Sequence, residues 1–172
     1  MQLYYVRKAN DADLAQISEI FEQAKSILKQ DGSPQWQNGA PTLMDFKNDI
    51  AKQQCYVLIV NQEVAGMATL QIGPDPNYKV ISNGFWEQTS DYMVIHRVAI
   101  AFKYSGLHLN EFFFSNLLTL CRQNFKRVRI DTHERNLKMQ HILNKFGFKE
   151  CGVINVNDPV DPKRKAYELI MN

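Results

Sequence analysis

The sequence predicts an α/β fold: a mixed sheet with helices on both faces, in one domain over residues 1–172. Three observations predict it. The chain has 172 residues, which fits one domain, and 45% of them are apolar, enough for one sizeable core. Runs of β-branched and apolar residues alternate with stretches whose apolar positions recur at helical spacing. Residues 92–131 read strand, helix, strand, a crossover that should be right-handed and join parallel strands.

Residues 3–7 alternate weakly and form a first strand. Asn10 and Asp11 offer an N-cap to a helix carrying Leu14, Ile17, Phe21, Ala24 and Leu28, which stops at Asp31 and Gly32. The segment SPQWQNGAP, residues 33–41, is a loop. Thr42 caps a second helix with Leu43, Phe46 and Ile50 on its apolar face. Residues 55–60 and 63–72 form an antiparallel hairpin turning at Asn61 and Gln62. Residues 73–90 hold two prolines, Gly84 and Trp86, and read as a long irregular segment of the kind that often carries function.

Residues 92–101 are apolar on both faces except for His96 and Arg97, so this strand is central. Leu109, Phe112, Phe113, Asn116, Leu117, Leu120 and Cys121 mark a helix buried along one stripe. Residues 126–131 alternate charge with Val128 and Ile130 and read as a half-buried strand. Residues 136–146 form a short helix, and residues 148–154 and 166–171 close the sheet.

Composition narrows the function. A net charge of +2 gives no bias towards nucleic acid or an anionic membrane, and Lys126-Arg127 and Lys163-Arg164-Lys165 read as solvated strand ends. The N-terminal MQLYYVRKAND lacks the apolar run of a signal peptide, and no run approaches the roughly 20 apolar residues that span a bilayer. Cys55, Cys121 and Cys151 are widely spaced, which suggests reduced buried thiols in a cytoplasmic protein and no zinc cluster. GxxxxGK[ST] and GxGxxG are both absent, which argues against a generic nucleotide-binding domain.

The most informative stretch is residues 92–152, YMVIHRVAIAFKYSGLHLNEFFFSNLLTLCRQNFKRVRIDTHERNLKMQHILNKFGFKECG. Its order of central strand, Gly-bearing turn, amphipathic helix, strand, short helix and Gly-Phe resembles the acyl-CoA core of the GCN5-related N-acetyltransferases, the GNAT family. DTHERNLKMQHILNKFGF is similar to that family's second CoA-contacting stretch, with Asn136 seven residues before Leu143 and Gly147-Phe148 following. The resemblance implies a mostly antiparallel sheet of six or seven strands, with one parallel pair splayed at its C-terminal ends. It also implies an enzyme moving an acetyl group from acetyl-CoA to a primary amine without a metal. Val98, Ala99 and Ile100 would then meet the pantetheine arm along a strand edge. Ser105, Gly106, Leu107, His108, Leu109 and Asn110 would hold the pyrophosphate at a helix start. Asn136 would contact the arm, or serve as a helix N-cap.

The family pattern is incomplete here. Ser105 stands at its Arg/Gln position, His108 at its first Gly and Asn110 at its Gly/Ala. His108 would crowd the phosphates through its side chain or contact one through its charge. Leu143 occupies the position of the usual Tyr acid, and Val94 that of the usual Glu base. His96, on the strand face of Val94, is the first candidate for catalytic base, because an imidazole exchanges protons near neutral pH. His133, at the end of the next strand, is the second. Trp36, Trp86 and Tyr92 are candidates for the acceptor pocket, since aromatic faces hold cationic amines. The partner expected is a small-molecule or peptide amine, not nucleic acid or membrane, with a homodimer left open. The other reading is a GNAT-fold module that binds acyl-CoA or another ligand without catalysis.

Overall fold

The hairpin organises the first half of the sheet. Strands β2 (Cys55–Val60) and β3 (Glu63–Ile72) pair antiparallel, and Asn61 and Gln62 both take positive φ at the tight turn between them. β1 (Tyr4–Lys8) adds to β2, and the central strand β4 (Met93–Ile100) adds to β3, both antiparallel. In this computed structural model, which describes residues 3–87 and 90–171, β5 (Arg127–Thr132), β6 (Lys149–Asn155) and β7 (Lys163–Ile170) complete a seven-stranded sheet. Its order is β1-β2-β3-β4-β5-β7-β6, and among the described residues the parallel neighbours are β4 and β5 alone.

Helices α1 (Leu14–Gln30) and α2 (Leu43–Ala51) cover one face, where Ile17, Phe21, Phe46 and Ile50 pack on Val57, Ile59 and Met67. Helices α3 (Leu109–Arg122) and α4 (Leu137–Lys145) cover the other, where Phe113, Phe114, Leu117 and Leu143 pack on Leu58, Ile95, Val128 and Ile130. Asn10 caps the short 3-10 turn that leads into α1. Thr42 caps α2 in a reciprocal capping box with Asp45. Each expected element is present, with ends within three residues of expectation. Of the irregular segment 73–90, residues 88 and 89 lie outside the described residues. The rest holds one 3-10 turn, Pro76–Tyr78, and an isolated bridge from Ser82 to Val153.

Two expectations about charge and burial need correction. β5 is almost wholly buried, with Arg127 and Arg129 only 6% and 4% exposed. Glu168 of β7 pairs with both guanidiniums, and Arg129 lies between the rings of Trp86 and Tyr92, at 4.1 and 3.9 Å from their centroids. Arg164 is buried too, because Asp158 and the carbonyls of Asp161 and Lys163 satisfy it. Charged residues on a strand thus mark cross-strand partners here, not solvent. Of the cysteines, Cys55 and Cys121 are buried, and burial pushes each thiol up to about 12, whereas Cys151 is only half-buried.

Candidate active site

The sheet opens where β4 and β5 part. They pair only at Met93–Val128 and Val94–Arg129, although both strands run on, β4 to Ile100 and β5 to Thr132. A bulge accompanies the split: between the pairs Met67–Ala99 and Thr69–His96, β3 advances two residues while β4 advances three. Arg97 supplies the extra residue, in a left-handed conformation at φ 57 that is strained for any side chain but glycine. Its guanidinium pairs with Asp49, which also accepts from Thr69 Oγ1 at 2.7 Å, so contacts to α2 and β3 hold the strain in place. Beyond the bulge, Ala101 N–H donates to Ala65 of β3. Strand alternation then turns Ala99 towards β3 as well and leaves the edge groups of Val98 and Ile100 facing the gap.

The gap widens into a crevice of about 440 Å³. His96 and Val98 of β4, Ile130 to Thr132 of β5, Met139 of α4 and its cap Asn136 line it, together with Trp36 and Asn38 of the α1–α2 loop and Asn157 and Asp158 of the β6–β7 loop. His96 Nε2 lies 2.8 Å from Asp75 Oδ2, and Asp75 is only 5% exposed. Asp75 Oδ1 also accepts from the Asn77 N–H, which fixes the carboxylate in an Asx turn. Burial pushes the Asp75 carboxyl up, but the His96 bond and charge and the Asn77 amide outweigh it and leave it below the usual carboxylate range. An ionised Asp75 requires His96 to carry a proton on Nε2, so Nδ1 is the nitrogen left to accept one.

Tyr78 extends the network. Its ring stacks on Tyr92 and tilts against His96, and its hydroxyl donates to Asp131 Oδ1 at 2.8 Å. Burial, joined by the nearby Asp131 charge, lifts the Tyr78 hydroxyl well above its ordinary value, so it stays a donor. Burial also raises the Asp131 carboxyl, only partly offset by the charges of His96 and Arg164 and the Tyr78 bond.

The other expected residues fall in three groups. Ser105 to Asn110 follow the end of β4 and lead into α3, and none of them lines the crevice. Gly106 takes φ 81 and His108 takes φ 56 as the left-handed N-cap, with its ring exposed. The N–H groups of Gly106, His108, Leu109 and Asn110 donate to no group among the described residues. Asn136 lines the crevice and caps α4, accepting from the Met139 N–H at 3.1 Å and donating to Gln35 at 3.3 Å. Trp36 lines the crevice and packs on Phe21.

His133, Trp86 and Tyr92 are not brought to the crevice. The ring of His133 is buried and committed on both sides: Nε2 to Asp161 at 3.1 Å, Nδ1 to the Arg135 N–H at 3.1 Å. Trp86 donates to the Tyr78 carbonyl, and the Tyr92 hydroxyl accepts from the Asp75 N–H. They hold Tyr78 and Asp75 from behind. Sequence reasoning passed over Asp75, Tyr78, Asp131 and the Arg97 bulge. The one local signal was Pro74-Asp75-Pro76, a turn-forming run inside the segment already marked as functional.

A sheet split at a parallel pair is the arrangement that the acetyltransferase resemblance implies, and here a bulge on the central strand accompanies it. The model of the acetyltransferase (GNAT) family matches residues 18–148. A GNAT-family acetyltransferase from Streptococcus agalactiae 2603 is 32% identical over 98% of this chain and 96% of its own, with a TM-score of 0.90. This chain therefore belongs to the GNAT family. A family member from Listeria monocytogenes 4b F2365 shares the fold at 18% identity and TM-score 0.70, covering 98% of this chain and 95% of that one. So does a chain of the NatC complex, solved with Gag peptide and CoA, at 10% identity and TM-score 0.69, covering 98% of this chain and 99% of that one. No curated protein matches this chain. Among the described residues, no helix is long and apolar enough to cross a membrane, and no cluster of His, Cys, Asp or Glu could hold a metal ion.

Proposed function

We propose that this protein transfers an acetyl group from acetyl-CoA directly to a primary amine, with His96 as the base and Asp75 as its orienting partner. The observation that carries the reading is the placement of an open strand edge, at Val98, beside a His–Asp pair in one crevice. The chain fits the cosubstrate. Edge N–H and C=O groups suit the amides of the pantetheine arm, and the four free N–H groups at the start of α3 suit the pyrophosphate. Asn136 would hold the arm from the α4 side. Ala99 faces β3 and is left out of the contact set.

When bound, acetyl-CoA supplies an activated thioester. His96 Nδ1 takes a proton from the incoming ammonium, and Asp75 stabilises the imidazolium that results. The Val98 N–H, turned into the gap by the bulge, donates to the carbonyl oxygen as that oxygen gains charge. The proton on His96 can then pass to the departing sulfur, a task that Leu143, wholly buried in the core, cannot perform. His133 is assigned to structure and is no longer a base candidate. Three unpaired cysteines fit a reducing compartment such as the cytoplasm.

The second reading, a ligand-binding module without catalysis, draws on the same Leu143 and on Val94, which lies in an apolar cluster with Tyr78 and Tyr92. Thiol release from acetyl-CoA on addition of primary amines separates the two. Turnover that His96→Ala abolishes supports transfer. CoA binding with no turnover for any amine or peptide supports the module.

A further inference from the structure

Asp131 is a crevice carboxylate that the chemistry above leaves without a task. It sits at the C-terminal end of β5, half-buried in the crevice wall, with Oδ1 taken by the Tyr78 hydroxyl. Oδ2 has no hydrogen-bond partner among the described residues. Of the other crevice carboxylates, Asp75 and Asp158 have both oxygens engaged, Asp75 by His96 and Asn77, Asp158 by Asn38, Arg164 and the N–H groups of Val160 and Asp161, while Asp45 spends Oδ2 on the Thr42 cap of α2. The two arginines of the crevice are committed as well, Arg97 to Asp49 and Arg164 to Asp158 and two carbonyls. Asp131 therefore presents an unfilled acceptor to whatever enters, and no nearby guanidinium turns to fill it. An ionised carboxylate in such a place is stabilised by a cation bearing hydrogen-bond donors.

The size of the entrant is bounded by the loops. Asn38 Nδ2 donates to Asp158 Oδ1 at 2.8 Å and ties the α1–α2 loop to the β6–β7 loop, two segments that both line the crevice. A crevice of about 440 Å³ must also admit the thioester end of the cosubstrate. A folded protein surface does not fit beneath tied loops, whereas a small polar amine does.

We infer that Asp131 anchors the acceptor's ammonium group through its free oxygen, and that the acceptor is a small cationic amine; this rests on the acyl-transfer reading above. Anchored there, the ammonium lies in the same crevice as His96, gives up one proton to Nδ1 and attacks as the neutral amine. The C–N bond forms, the C–S bond breaks, and the nitrogen's second proton leaves to solvent. The balance is thioester plus ammonium to amide, thiol and one proton. Asp131 is consequently a specificity-determining residue that touches substrate, distinct from the base.

The test measures thiol release from acetyl-CoA with ethanolamine, glycinamide, agmatine and a lysine-containing peptide, alongside calorimetric titration of CoA. Asp131→Asn keeps the Tyr78 bond and the shape, so the variant should fold. The wild type should use at least one of the small amines. For it, Asp131→Asn should raise KM about 10- to 100-fold, the loss of a charge-assisted hydrogen bond, with kcat changed less than about threefold and CoA affinity unchanged. Asp131→Glu, which restores the charge, should recover most of the KM. Unchanged KM in Asp131→Asn overturns the anchor. Turnover of the peptide alone, or CoA binding with no small amine accepted, overturns the substrate class while leaving acyl-CoA recognition standing. Absence of CoA binding by wild type overturns the inference by removing the reading beneath it.

Discussion

Replacing Asp75 with Asn probes the His96 pair without changing its shape. The carboxylate is 5% exposed and lies 2.8 Å from His96 Nε2, so the bond is short and shielded from water. In Asp75→Asn the Asn77 N–H can still be accepted, but the group facing His96 no longer carries a charge to stabilise an imidazolium. A hydrogen bond between charged partners contributes about 1.5–3 kcal/mol, so kcat/KM for the amine should fall about 10- to 150-fold. Removing the base itself, in His96→Ala, should cost more, about 10²- to 10⁴-fold. CoA affinity, measured by calorimetry, should stay put in both. Stability adds a second readout. Asp75 is held below its ordinary pKa, so its contribution is fully present above the unfolded value of about 3.9 and is lost as pH falls through the folded value. The melting temperature of Asp75→Asn should therefore lie below wild type at pH 7, with the gap closing as pH drops below about 4. An unchanged kcat/KM, or a gap that widens in acid, would refute the assignment.

Three further outcomes follow from packing. A Cβ at Gly84 would sit 1.9 Å from the Cys151 carbonyl oxygen, so Gly84→Ala must push apart the Ser82–Val153 bridge. Overpacking of this kind costs about 1–3 kcal/mol and should lower the melting temperature by about 2–12 °C. Asn136→Ala removes the α4 cap, which should cost about 1 kcal/mol of stability, and CoA affinity should also drop about 2- to 13-fold through the lost pantetheine bond; a lower melting temperature with unchanged affinity would leave Asn136 a cap only. His133→Ala breaks bonds at both ring nitrogens and should destabilise by about 1–3 kcal/mol while kcat for the amine is retained, which stopped-assay kinetics on the folded variant would check.

The fold was legible because its signals are local. The turn at Asn61 and Gln62, the Thr42 cap and the both-sided apolar run of β4 each lie within a few residues of one another. His96 was legible for the same reason: a lone imidazole on an apolar central strand stands out. Its partner was not, because Asp75 lies 21 residues away in a segment with no periodicity. The Tyr78–Asp131 bond spans 53 residues. The bulge at Arg97 depends on the register of β3 against β4, which no single strand encodes. Trp86 and Tyr92 were misplaced for a related reason. Their aromatic faces do hold a cation, but it is Arg129 from the protein itself, and a strand read in isolation does not reveal that its arginine turns inward.

At the start of α3, His108 holds the left-handed φ of 56, at the position where the resemblance would place glycine, and Ser105 stands where it would place Arg or Gln. Left-handed backbone costs a side-chain-bearing residue about 1–2 kcal/mol, and the free N–H groups next to it remain. Calorimetric titration of CoA into the wild type and the double variant Ser105→Arg, His108→Gly tests the central claim most directly. Saturable one-to-one binding by the wild type, tightened in the double variant, is the result this account predicts. No measurable binding by either protein would contradict it.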